Sequence, residues 1–140
     1  MTAAIGPIAQ EYEITANPVL QLKAGVFAHQ DTMACIDTAN ACVRPGVPGV
    51  ATLIPIGTFN DETDNTASAS TVGVVVNLDR PVKITYWAND TTNPVTALFT
   101  EAYILDNQTV TESSAGSASA AGLVWKIDSI KGVGVVTPAF

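Results

Sequence analysis

Charge is what this chain has least of. Only 14% of its 140 residues are Asp, Glu, Lys or Arg, against roughly 25% in an average soluble domain. The six basic residues, Lys23, Arg44, Arg80, Lys83, Lys126 and Lys131, form no cluster, and the net charge is −7. A nucleic-acid binder needs a basic patch to neutralise phosphates and release counterions, so the sequence argues against nucleic acid as a partner. Long apolar runs are missing as well. No stretch approaches the ~20 apolar residues of a membrane-spanning helix. Met1 to Gln10 lacks the basic start and long apolar core of a secretory signal. The expectation is no membrane partner, and folding in the cytoplasm where the chain is made.

Residues that carry chemistry are equally scarce. His29 is the one histidine. Asp31 shares its face if the segment is a strand, but one neighbour does not make a triad, and the reading is a loop histidine at a strand end. Cys35 and Cys42 form no CxxC, and no second pair or nearby histidine completes a zinc site. With Thr38-Ala39 as a turn the two thiols face each other across a hairpin, where a disulfide is geometrically conceivable. In a reducing compartment free, half-buried thiols are expected instead. Asp61, Glu62 and Asp64 lack the spaced ligands and bidentate terminal Glu of an EF-hand loop and read as a solvated acidic loop. Gly132-Val133-Gly134 leads into a Val-rich strand, not into the helix a phosphate loop needs. No catalytic, cofactor-binding or metal-binding residue is assigned, no cofactor is expected, and the chain reads as a non-enzyme.

What the chain does have is punctuation. Gly, Pro, Asn and Asp recur about every 8–12 residues, the spacing of a many-stranded β domain. Leu20 to Lys23 alternates, Gly25 interrupts, and Val26-Phe27-Ala28 follows. Arg44 to Gly49 reads as a turn-rich connector, because proline removes a donor and fixes φ. Val50 to Ile56 reads as a strand closed by Gly57, and Asn60 to Ser70 as a polar surface loop. Val72–Leu78 and Val82–Tyr86, joined by Asp79-Arg80-Pro81, form the clearest hairpin in the sequence. Residues 91–101 are the one helix candidate: Thr92 or Asn93 as N-cap, Pro94 in the first turn, and Val95, Leu98 and Phe99 on one face. Leu123, Trp125 and Ile127 alternate with Val124, Lys126 and Asp128, which places Trp125 in the core. Trp87 is open to two readings, an exposed anchor for a partner or a cap on the barrel end. No internal repeat is evident at solenoid periods.

The fold class that follows is mainly β. It is a single compact barrel or sandwich of about eight to ten short strands, spanning residues 19–140, with one short helix. Residues 1–18 form an extended N-terminal arm ahead of it, with Glu11 to Thr15 as a possible edge strand. Such an arm either frays or lies on a partner.

The order of features over residues 19–136 resembles a known family. Leu20-Gln21-Leu22-Lys23-Ala24-Gly25-Val26 precedes the Met33 to Val43 strand pair, and the acidic run Asp61 to Thr66 follows Ile56-Gly57. The most specific part is Tyr103 to Val110, with Asp106-Asn107-Gln108-Thr109-Val110, then Ala121-Gly122-Leu123-Val124 and the last Gly-Val strand. This pattern resembles the head-decoration, or capsid-cement, proteins of phages. The resemblance implies a structural protein of the virion, a homotrimer on the outer surface of the phage head. It would sit at three-fold and quasi three-fold positions, hold the major capsid protein and resist the pressure of packaged DNA. The arm would face the shell or add a strand to a neighbour's sheet edge. The long N-terminal segment and the extended Asn60–Ser70 loop depart from the family pattern. Two further readings stand beside it: another virion component such as a head-fibre base or tail part, and a carbohydrate-binding β module with Trp87 as its platform.

Overall fold

The computed structural model describes residues 17–78, 84–114 and 118–136. Most of the expected arm, including the Glu11–Thr15 edge strand, lies outside the described residues. In chain order the strands are β1 (Val19–Leu22), β2 (Phe27–Ala28), β3 (Met33–Asp37), β4 (Cys42–Pro45), β5 (Leu53–Phe59), β6 (Thr63–Asp64), β7 (Val72–Leu78), β8 (Ile84–Asn89), β9 (Glu101–Ile104), β10 (Thr109–Thr111), β11 (Ala120–Asp128) and β12 (Gly132–Val136). The mainly β, barrel-type architecture expected from the sequence is what forms, but it closes as two five-stranded barrels. The first runs β1-β4-β3-β5-β7 and the second β10-β8-β12-β11-β9, while β2 and β6 pair as a separate ribbon.

The two barrels are the same barrel. In each, the first and third strands pair in parallel, and every other contact is antiparallel in the same order. The registers also match. Ile36 sits opposite Val43 as Ile104 sits opposite Val110. Phe59 sits opposite Val76 as Val124 sits opposite Val135. Leu20 sits opposite Val74 as Trp87 sits opposite Val133. The bulge is shared too: the ladder slips at Ala34/Cys35 against Gly57, and again at Ala120/Gly122 against Ala102.

Even the turn before the second strand of each barrel is repeated. Thr32 donates its hydroxyl to the His29 carbonyl, and Thr100 donates to Ala97. Asp31 N bonds Phe59 O as Phe99 N bonds Val124 O, and Phe59 N bonds Thr32 O as Val124 N bonds Thr100 O. Asp31 and Phe99 share a left-handed backbone, with φ of 62° and 61°.

The barrels meet at β3. Ala34 packs into the first core with Leu22, Val43, Ile56, Phe59, Val74 and Val76. Met33 and Cys35 point the other way and join the second core, with Trp87, Ile104, Val110, Val124 and Val135. A strand with a core on each side is apolar on both faces, which is why Met33 to Cys35 does not alternate. The Ser119 hydroxyl seals the junction, accepting from Leu53 N and donating to the Val50 carbonyl.

Four expectations are corrected here. The clearest hairpin does not form: β7 pairs with β1 and β5, and β8 with β10 and β12, so its two strands belong to different barrels. Gly57 does not close its strand; β5 runs on to Phe59, with Pro55 at the bulge, where proline is tolerated. Pro45 likewise ends β4 inside the sheet, opposite Ala34. The helix at 91–101 is absent. Asp90 captures the backbone of Thr92 and Asn93, and the Asn89 side chain clamps Val95 N and O, so side chains ahead of the expected N-cap stabilise a loop instead.

Asp37 anchors the β3–β4 turn. It is buried and accepts bonds from Ala39 N, Asn40 and Thr52, with Arg44 Nη1 at 3.5 Å. Burial alone would raise its carboxyl, but the bonds from Asn40, Thr52 and Ala39 and the Arg44 charge together hold it below the ordinary carboxylate range. A depressed folded-state value means that this stability is complete above the unfolded value near ~3.9 and fades as pH falls below it. Asp37→Asn should therefore cost ~2–3 kcal/mol at pH 7. Its urea midpoint should converge on that of the parent in acid, and parallel pH series would check this.

Candidate interaction surface

Side chains on the second barrel gather into an apolar face. Two bulges, at Ala120/Gly122 and Val124/Lys126, set the orientation along β11. They turn Val124 inward and leave Leu123, Trp125 and Lys126 outward, while Ile127, opposite buried Val133, is also exposed. The Ala97–Thr100 turn is pinned beside them by the paired bonds between Phe99, Thr100 and Val124. Phe99 therefore stands against Trp125 edge-on, with ring centroids 5.8 Å apart at 85°. Such a pair normally lies in a core, yet Phe99 is 64% exposed and Trp125 47%. Leu98 is also exposed, and the half-buried Val136 and Ile84 continue the row from Leu123 across β12 and β8. Lys126 lies on the face, and Lys131 Nζ rests 5.4 Å from the Tyr86 ring centroid.

The first barrel supplies an internal control. In matched places stand Gln30 for Leu98, Asp31 for Phe99, Thr58 for Leu123 and Asn77 for Val136. Asn60 stands where the bulged pair Trp125-Lys126 stands, and Asn17 where Ile84 stands. Every one is polar. The backbone closes equally well with either set, so folding does not require the apolar one.

Trp125, expected in the core, lies outside it, and Trp87, left open between an exposed anchor and a cap on the barrel end, is not an exposed anchor. Trp125 is the exposed one, and Trp87, only 6% exposed, fills the second core. The apolar row Leu123, Trp125, Ile127 misled because Lys126 and Asp128 seemed to mark the solvent side. The bulge lets Lys126 and Ile127 both reach solvent.

The other candidate residues do not assemble a site. His29 Nδ1 lies 3.2 Å from Glu62 Oε1, its ring against Phe27; Asp31 is in the turn, not on a shared strand face. Asp61 accepts from Asn60 and Asp64 from Thr66. Among the described residues no three His, Cys, Asp or Glu are placed to hold a metal ion. The acidic loop is more than a solvated one, because buried Asn65 ties it to the Lys23 and Ser70 carbonyls. The cysteines do not face each other: Cys35 is opposite Arg44 and Cys42 opposite Asp37, since the turn spans four residues. Both thiols are free and buried, and burial pushes Cys35 up to about 12.

Compared with protein families, characterised proteins and solved structures, the chain matches none.

Proposed function

We propose that this chain is a non-catalytic structural protein of a phage head, a decoration or cement protein. It binds the outer surface of the shell as a homotrimer at three-fold and quasi three-fold positions, contacts the major capsid protein, and stiffens the head against packaged DNA. The observation that supports this reading is the divergence of the two barrels. At the matched places around the turn and the bulge one copy is polar, although Val19 is exposed elsewhere on it, and the other has an aromatic-centred apolar face that the fold does not need. A contiguous exposed apolar patch of this kind marks a protein contact. The low surface charge fits it, because few charged groups would have to be stripped of water on assembly. Repetition over a shell then turns modest contacts into strong attachment.

The test is to mix the purified chain with expanded, empty heads. The expected result is co-sedimentation that saturates in multiples of three per head, together with a higher temperature of head rupture. A chain that stays in the supernatant would overturn the reading.

A further inference from the structure

We propose that the apolar face of the second barrel receives the N-terminal segment, residues 1–16, of a neighbouring copy of this chain. Both five-stranded sheets are closed. A closed barrel offers no free edge, so strand addition to either barrel is unavailable to an arm. The β2–β6 ribbon does have open edges, but its strands are two residues long. A segment received by a barrel is held by side chains, and the Phe99–Trp125 pair with Leu98 and Leu123 offers them.

The chemistry of the segment matches. Its only charges are Glu11 and Glu13, which alternate with Tyr12 and Ile14, and Ile5 and Ile8 lie further out. If the segment is extended, Tyr12 and Ile14 share one side and the two carboxylates the other. The face offers aromatic and aliphatic surface, with Lys126 and Lys131 exposed beside it. Exposed Glu101, opposite Leu123, and Asp128, beside both lysines, balance their charge, so the apolar side chains and not net charge carry the match.

The reach is sufficient. The described chain begins at Asn17, held against Asn77 and Leu78 on the first barrel. Sixteen extended residues span on the order of 50 Å, against a radius of gyration of about 14 Å for a chain of this length. The choice of a neighbour's segment over the chain's own rests on the assembly reading above. Head-to-tail exchange links copies and can close a ring, whereas an internal cap would leave no apolar surface to share.

The experiment compares the full chain, a variant lacking residues 1–16, and the point variant Phe99→Asp by light-scattering mass and circular dichroism. The full chain should be an oligomer of the 14.5 kDa unit, and both variants folded monomers. A synthetic peptide of residues 1–16 should bind the shortened chain saturably. Binding should be weaker by on the order of thirtyfold for the shortened chain carrying Phe99→Asp. A peptide with Tyr12→Ser and Ile14→Ser should bind about tenfold more weakly. A shortened chain that keeps the full oligomeric mass, a monomeric full chain, or a peptide that does not bind would each overturn the proposal. Head binding is measured separately, so a chain that decorates heads without exchanging its segment sinks this inference and spares the function.

Discussion

A chain carrying Phe99→Asp, Leu123→Thr and Trp125→Asn should stay folded and stop associating. Asp31 and Thr58 are the residues at the matched places of Phe99 and Leu123, and Asn60 stands for the bulged pair Trp125-Lys126, in which Trp125 is the extra residue. At the first two places the same backbone, with the same closure and the same turn, carries Asp and Thr without loss, and Trp125 lies on a bulge with its side chain facing solvent. Phe99 is the most telling position. A bulky residue at φ 61° is strained, at a cost of about 1–3 kcal/mol. Asp tolerates that region far better, and Asp31 adopts it at φ 62°. Phe99→Asp alone should thus leave the monomer as stable or more stable by up to ~1 kcal/mol, while the other two surface changes stay within about 0.5 kcal/mol each. Thermal melts of dilute protein would check stability, and sedimentation velocity would check association. A melting point lowered by more than about 10 °C would mean that the face belongs to the core, and a normal melt with unchanged association would mean that it is not the contact.

The strain at Phe99 also explains why the face was hard to see from sequence. Leu98 and Phe99 fitted the helical spacing with Val95, and the hydrogen bonds that break that helix come from Asn89 and Asp90 before it. The class and most strands were legible because an apolar residue recurs at every second position of β1, β7 and β12. The pairing was not. Val72–Leu78 and Val82–Tyr86 look like a hairpin when only adjacent segments are compared, and nothing local reports that each finds its partners in a different barrel.

The duplication was hidden for a related reason. Matched residues stand 68 apart at Ala34 and Ala102 but 59 apart at Val76 and Val135. A fixed period therefore finds nothing, and identity survives in fragments, such as Ala-x-Ile at Ala34 and Ala102, Gly-Val-x-Val at Gly73 and Gly132, the bulge glycines Gly57 and Gly122, and the Thr of the turn. The shared bulge and paired turn bonds are visible only in three dimensions. They are what turns six polar residues of the first barrel into a statement about the second.

The largest single effect on stability is expected at one of those shared features. Gly57→Ala should cost ~4 kcal/mol or more, a large part of the 5–15 kcal/mol a domain of this size commands. A Cβ on Gly57 would lie 1.8 Å from the Asn77 carbonyl oxygen and 3.0 Å from Leu78 Cα. These are backbone atoms of β7 and cannot rotate away. Relief requires β5 and β7 to part at the Gly57–Leu78 pair, which opens the first barrel and uncovers Phe59 and Val76. Gly25→Ala is the control. Its φ is +79°, but nothing lies within 4 Å of its Cβ, so the cost should be that of backbone strain alone, about 1–2 kcal/mol. Gly122 occupies the matched place in the second barrel, with φ of 148° at the same bulge. Gly122→Ala should accordingly fall with Gly57→Ala and not with Gly25→Ala in urea unfolding. If all three variants lost about 1 kcal/mol alike, close approach at the bulge would not be what fixes glycine there.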